Sequence, residues 1–155
     1  MLASDHFFDD GANANEGRAF VYHGSARGLG ASPVSTPDDA NQANANFGTS
    51  VADAGDVNGD GYSDVIVGAY QYDNVETNEG AAFVYHGSAA GISVSASSSW
   101  TGVETEDYFG WSVACAGDVN GDGYSDVIVG AYETNDAGQG YLFLGSATGL
   151  PAIAT

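Results

Sequence analysis

The chain has 155 residues, 23 of them glycine, and sets 21 acidic residues against two arginines and no lysine, for a formal charge of −19. A surface of that sign repels phosphate backbones and anionic headgroups, which excludes nucleic-acid binding and adhesion to anionic membranes. No stretch reaches the ~18 apolar residues of a membrane span, the first ten residues (MLASDHFFDD) lack the regions of a signal peptide, and one cysteine, Cys115, allows no internal disulfide framework.

The first segment with a pattern runs from Gly17 to Gly28, Gly-Arg-Ala-Phe-Val-Tyr-His-Gly-Ser-Ala-Arg-Gly. It recurs as Gly80–Gly91 and, more loosely, as Gly138–Gly149. Phe47-Gly48 opens a longer element. Ser50-Val-Ala-Asp-Ala alternates small and apolar residues and reads as a strand. The loop that follows is rich in Asp, Asn and Gly, and Asp64-Val-Ile-Val-Gly-Ala-Tyr70 is a β-branched strand. Ala82-Phe-Val-Tyr-His86 is a third strand, and Ser97-Ser-Ser-Trp-Thr101 a weaker fourth. The whole element then repeats: Gly55–Tyr70 returns unchanged as Gly117–Tyr132, at an offset of 62 residues, with Phe109-Gly110 at the same offset from Phe47-Gly48. Only the next loop changes length, from ten residues (71–80) to six (133–138). A fixed period with length changes confined to one loop marks a repeat architecture. Helix is expected to be minimal, because no window has a 3.6-residue apolar period with caps.

The loop Asp56-x-Asn58-x-Asp60-Gly61-Tyr62-x-Asp64 places side-chain oxygens at positions 1, 3, 5 and 9; its copy supplies Asp118, Asn120, Asp122 and Asp126. Ca²⁺ takes six to eight hard oxygen ligands, and alternate residues of a tight loop can aim theirs at one ion. Gly at position 6 permits the turn, and Tyr62 and Tyr124 at position 7 would offer backbone carbonyls. Position 12, where an EF-hand carries a bidentate Glu, holds Val67 or Val129, so each loop runs into a strand and Asp64 or Asp126 is expected to close the sphere. Mg²⁺ suits these loops less because it keeps more water, and Zn²⁺ lacks Cys or His ligands here. Two Ca²⁺ per chain are expected.

Phe-Gly-x-Ser-Val, then Gly-Asp-Val-Asn-Gly-Asp-Gly-Tyr-Ser-Asp-Val-Ile-Val-Gly-Ala-Tyr, then Gly-x-x-Phe-Val-Tyr-x-Gly resembles the FG-GAP repeat, with Tyr70 and Tyr132 in the last place of the Gly-Ala-Pro triplet. That family builds the seven-bladed propeller of integrin α subunits and of many bacterial surface proteins. The resemblance implies Ca²⁺ between the first and second strands of a blade, hence on the eight Asp and Asn side chains above. The expected fold is all-β, with propeller blades of four antiparallel strands, about two and a half per chain, not closed by one chain alone. Residues 1–46 read as the end of a preceding repeat (strands 3 and 4), 47–108 as a complete repeat, and 109–155 as a repeat without its last strand. Residues 1–46 carry no calcium loop.

The remaining candidates read as structural. His23 and His86 share one repeat position, where the third copy has Leu144, so they are expected to serve the strand rather than a reaction. His6, in a poorly repeated segment, is expected to be exposed. Cys115, aligned with Asp53, reads as a small buried residue without a nucleophile's partners. Trp100, Tyr108 and Trp111 read as core or inter-blade packing. The pairs Asp9/Asp10 and Asp38/Asp39 read as solvated loop charge, and Arg18 and Arg27 as partners of local acids. No Gly-x-Ser-x-Gly elbow is present, and a non-enzymatic role is expected. The functional expectation is a calcium-binding extracellular or cell-surface module for structure or adhesion. Its fold would be completed by homo-oligomeric or polymeric self-assembly, or by further repeats of a longer chain, with an extracellular protein or glycan as a candidate ligand. The competing expectations are the scaffold region of a secreted hydrolase and a carbohydrate-binding propeller, the latter disfavoured because Trp111 aligns with Thr49.

Overall fold

The computed structural model describes residues 1–9, 11–134, 137–151 and 154. Eleven strands follow one another in the described chain: β1 (Leu2–Asp5), β2 (Arg18–Val21), β3 (Gly24–Ser25), β4 (Gly28–Leu29), β5 (Ser50–Gly55), β6 (Asp64–Ala69), β7 (Ala81–Tyr85), β8 (Ser98–Thr101), β9 (Phe109–Gly117), β10 (Asp126–Ala131) and β11 (Gln139–Phe143). No α-helix occurs among the described residues. All pairing within the sheets is antiparallel. β5-β6-β7-β8 form a four-stranded meander, β9-β10-β11 a three-stranded one, and β1-β2 and the short β3-β4 hairpin form two-stranded sheets. The fold is therefore all-β, built from open sheets that do not close on themselves. The N-terminal segment holds four strands, β1 to β4, where the sequence reading assigned two. β1 lies ahead of β2, and a single bridge from Val21 to Ser35 stands where β8 lies in the meander.

The sheets are layered, and two apolar clusters sit in the seams. Between the β1-β2 and β5–β8 sheets, Ala19, Phe47, Val65, Val67, Ala81, Phe83 and Tyr85 pack together. Between the β5–β8 and β9–β11 sheets, Val57, Ile66, Val84, Trp100, Phe109, Val127, Val129 and Phe143 do so. The middle sheet is covered on both faces. Every residue of β6 (Asp64-Val-Ile-Val-Gly-Ala69) is buried, whereas β10, with the same sequence, leaves Ile128 42% exposed where Ile66 is 0%. Identical sequences thus differ in burial according to their neighbours.

The Phe-Gly pairs start each layer. Phe47 bridges in parallel to Gly17 and Phe109 to Gly80, each at the head of the preceding layer's third strand. The Phe47 and Phe109 N–H groups donate to the Glu16 and Glu79 carbonyls at 2.8 and 3.0 Å. Gly68 is in mid-strand because the next layer comes too close for a side chain: a Cβ there would lie 2.0 Å from the Gly110 carbonyl oxygen.

Several expectations about single residues need correction. Cys115 is exposed, as is its counterpart Asp53. His6 is half-buried, its ring 4.1 Å from that of Phe7. Asp38 is a half-buried ion-pair partner of Arg18 (2.7 Å), and Asp39 accepts the Ala96 N–H at 2.9 Å, so neither is merely solvated. Arg18 is held further by Glu16 at 3.6 Å and by the Phe8 ring, 4.2 Å from the guanidinium carbon. Arg27 makes no ion pair among the described residues. Asp10 lies outside the described residues. Trp100 is core as expected, 8% exposed, with its indole N–H on the Pro151 carbonyl at 2.9 Å. Trp111 is 45% exposed, stacked on Tyr132 and edge-on to Tyr70 of the neighbouring sheet.

Candidate metal centres

The two Asp/Asn loops lie at the same end of adjacent sheets, each linking the first strand of a sheet to its second. In the β5–β6 loop, Asp56 Oδ1 accepts the N–H groups of Gly59 (2.7 Å) and Asp60 (3.1 Å), and Oδ2 accepts that of Gly61 (2.8 Å). Asn58 Oδ1 accepts the Asp60 N–H at 3.0 Å, and its amide donates to Asp60 Oδ2 at 3.0 Å. Asp60 Oδ1 accepts the Tyr62 N–H at 2.9 Å. Gly61 has a φ of 87°, the left-handed conformation that the turn requires and that side chains resist. The β9–β10 loop repeats these bonds through Asp118, Asn120 and Asp122, with Asp118 accepting from Gly121, Asp122 and Gly123 at 2.7–3.0 Å.

Asp64 and Asp126 stand apart from these networks. Both are fully buried. Asp64 Oδ2 accepts the Val57 N–H (2.9 Å) and Oδ1 the Gly87 N–H (2.8 Å); Asp126 makes the same bonds to Val119 and Gly145 at 2.8 Å each. The ninth position therefore ties the loop to the third strand's turn. Burial pushes the Asp64 carboxyl up, against the two N–H groups that favour its ionised form, while the Tyr62 N–H and the Asn58 amide hold Asp60 below the usual carboxylate range. Among the described residues, no three His, Cys, Asp or Glu side chains converge on one point. What each loop brings together is Asp56-Asn58-Asp60 or Asp118-Asn120-Asp122; Tyr62 and Tyr124 contribute N–H donors to it. The donor chemistry fits a hard cation. Every side-chain donor is an oxygen, Asp118, Asn120 and Asp122 are exposed while Asp56 and Asn58 are half-buried beside exposed Asp60, and the carboxylates satisfy themselves on the loop's own N–H groups.

The loops also join one layer to the next. The Ser125 N–H donates to the Asp56 carbonyl at 2.9 Å, and the Asp56 N–H to Ser125 Oγ at 3.2 Å. The Ser146 N–H donates to the Val57 carbonyl at 3.1 Å. Sequence reading missed this serine latch. Its only signal was Ser63/Ser125 and Ser88/Ser146 holding constant repeat positions. It also missed the buried acids Glu79 and Asp107, whose carboxylates close their own loops by accepting the N–H groups of Val75 and Glu76, and of Val103 and Glu104. His23 and His86 face Gly91 and Gly149 of the following layer, as suits seam residues: a Cβ on Gly149 would lie 3.4 Å from the His86 ring.

Four- and three-stranded antiparallel meanders, layered face to face with an Asp/Asn loop between first and second strands, are propeller blades. Residues 47–85 and 109–143 match the model of the FG-GAP repeat, and the chain belongs to that family. It is similar to integrin alpha pat-2 of Caenorhabditis briggsae, 44% identical over 96 residues, which are 59% of this chain and 8% of that protein. Human integrin alpha-6 is 42% identical over 85 residues, 55% of this chain and 7% of that protein. Integrin alpha-4 of Xenopus laevis is 33% identical over 125 residues, 79% of this chain and 12% of that protein. The chain thus spans about a tenth of the length of the relatives it matches.

Proposed function

We propose that this chain is a calcium-binding part of an adhesion-type propeller, working non-enzymatically outside the cell or at its surface. The observation that carries the reading is the duplication of one all-oxygen loop with the same internal hydrogen bonds in both copies. Two Ca²⁺ are bound per chain. Asp56, Asn58 and Asp60 hold one and Asp118, Asn120 and Asp122 the other, with the backbone carbonyls of Tyr62 and Tyr124. Asp64 and Asp126 close the spheres through oxygens that keep their N–H bonds, since each carboxylate oxygen has a second lone pair. The ion's work is mechanical. It rigidifies a loop whose backbone is latched to the next blade, and so stiffens the seam.

The repeat boundaries proposed from the sequence, 1–46, 47–108 and 109–155, are supported by the four strands between Ser50 and Thr101 and the three that follow. Further repeats of a longer chain, or other copies of this one, would complete the propeller, and its ligand would be an extracellular protein or glycan. The integrin relatives support the adhesion reading. Calorimetric titration of the calcium-free protein tests the metal claim: two sites are expected in the natural chain and one in Asp118→Ala. Absence of calcium-dependent heat, or two sites surviving in that variant, would overturn it.

A further inference from the structure

A cavity of about 400 Å³ opens between the β1-β2 hairpin and the four-stranded sheet, lined by residues that include Leu2, Val21, Ser63, Val65 and Ile92. The next seam contains the same site, filled. There Val57, 0% exposed, packs in one cluster with Ile66, Val84, Val127 and Leu150. The correspondence follows from repeat and register. Leu2 pairs with Val21 as Ile66 pairs with Val84, Val65 is the counterpart of Val127, and Ile92 follows Gly91 as Leu150 follows Gly149. The polar rim corresponds too. Ser125 and Ser146 clasp the backbone of Asp56 and Val57, whereas their counterparts Ser63 and Ser88 are exposed, and no partner for the Ser63 N–H or Oγ or the Ser88 N–H occurs among the described residues. Beside them, the edge of β1 not taken by β2 pairs with no strand among the described residues, in the place where β6 receives β5. One seam therefore displays socket and plug together, and the other displays the socket.

We infer that this cavity is a strand-accepting site. Its ligand is an extended peptide of first-strand character, small residues running into Gly-Asp-Val, that pairs antiparallel with β1 and seats its valine in the cavity. The filled seam sets the register. Ala52 pairs with Ile66, so the incoming alanine lies opposite Leu2. The Asp N–H meets Ser63 Oγ, the Asp carbonyl the Ser63 N–H, and the Val carbonyl the Ser88 N–H. Main-chain bonds supply affinity and the valine pocket supplies selection, as in other β-augmentation sites. None of these contacts involves a metal, so the site stands apart from the calcium reading.

The test is a synthetic peptide of residues 50–58 (Ser-Val-Ala-Asp-Ala-Gly-Asp-Val-Asn), titrated into the isotope-labelled full chain in the presence of a calcium chelator. Saturable one-to-one binding is expected, with amide shifts concentrated at Leu2–Asp5, Ser63, Ser88 and Ile92. A Val57→Asp version of the peptide should bind at least about tenfold more weakly, because a carboxylate does not enter an apolar pocket unpaired. Ser63→Ala in the protein should weaken binding several-fold, the worth of about one hydrogen bond. Lack of saturation at millimolar peptide, equal binding of the Val57→Asp peptide, or shifts centred on β11 instead would each overturn the assignment.

Discussion

Val57 and Val119 occupy the same position in two identical sixteen-residue segments, yet Val57 is 0% and Val119 55% exposed. Substituting each by alanine separates packing from local sequence, since propensity and loop chemistry cancel between the two sites. At Val57 the change strips two methyl groups from a buried seam. That is about 1.6 kcal/mol at ~0.8 kcal/mol per carbon, plus about 1 kcal/mol for a cavity that the flanking sheets cannot collapse to fill. The loss is therefore about 2–3 kcal/mol, or roughly 5–10 °C in melting temperature for a chain of this size. At Val119 more than half the side chain already meets water, and the cost stays within about 0.5 kcal/mol. Urea denaturation of both variants in chelator, followed by tryptophan fluorescence, measures the difference. Equal losses would refute the account of the seam: they would mean that Val119 is as covered as Val57, or that neither valine is packed.

The glycines at the centre of the second strands give a similar contrast. Gly68→Ala should cost more than about 3 kcal/mol, because its Cβ would lie 2.0 Å from a backbone oxygen, whereas at Gly130 the nearest obstacle is Ser112 Oγ at 2.4 Å, which can rotate away for about 1 kcal/mol; thermal melts of the pair decide. Asp64→Asn should lose about 2–3 kcal/mol in denaturant even in chelator, because an amide presents one acceptor and an unwelcome donor to the Val57 and Gly87 N–H groups. A cost that emerges only with calcium present would contradict its structural role. Arg18→Ala should lose about 1–2 kcal/mol, since the half-buried guanidinium serves Asp38 and the Phe8 ring together. A loss that vanishes in high salt would reduce it to a surface pair.

Repetition made the layers legible. Sixteen unchanged residues with β-branched runs and Gly-Asp-Gly turns marked the second strands Asp64–Ala69 and Asp126–Ala131, and Phe-Val-Tyr marked the third. Burial was less legible, because it depends on what lies across a seam: Ile66 and Ile128 are the same letter in the same word, and only the layer over β6 separates them. Cys115 misled as well, having a core residue's chemistry at an exposed position. β1 escaped notice because Leu-Ala-Ser-Asp is short, partly polar and unlike its counterparts. At the loops, the oxygen spacing was plain from the sequence. The buried turn of Asp64 and Asp126 toward the third strand was not, because their partners, Gly87 and Gly145, lie about twenty residues away. The serine latch was hidden likewise, since its bond runs from Ser125 to Asp56, 69 residues back.

The central claim, that each Asp/Asn loop is an ion cage that stiffens a blade seam, is tested most directly by a crystal structure of the chain grown with calcium, with anomalous data collected. The account predicts two peaks, one within about 2.3–2.6 Å of oxygens of Asp56, Asn58 and Asp60 and of the Tyr62 carbonyl, the other likewise at Asp118, Asn120, Asp122 and Tyr124. Peaks at other acids, or loops whose carboxylates stay closed on their own N–H groups with no ion among them at millimolar calcium, would contradict it.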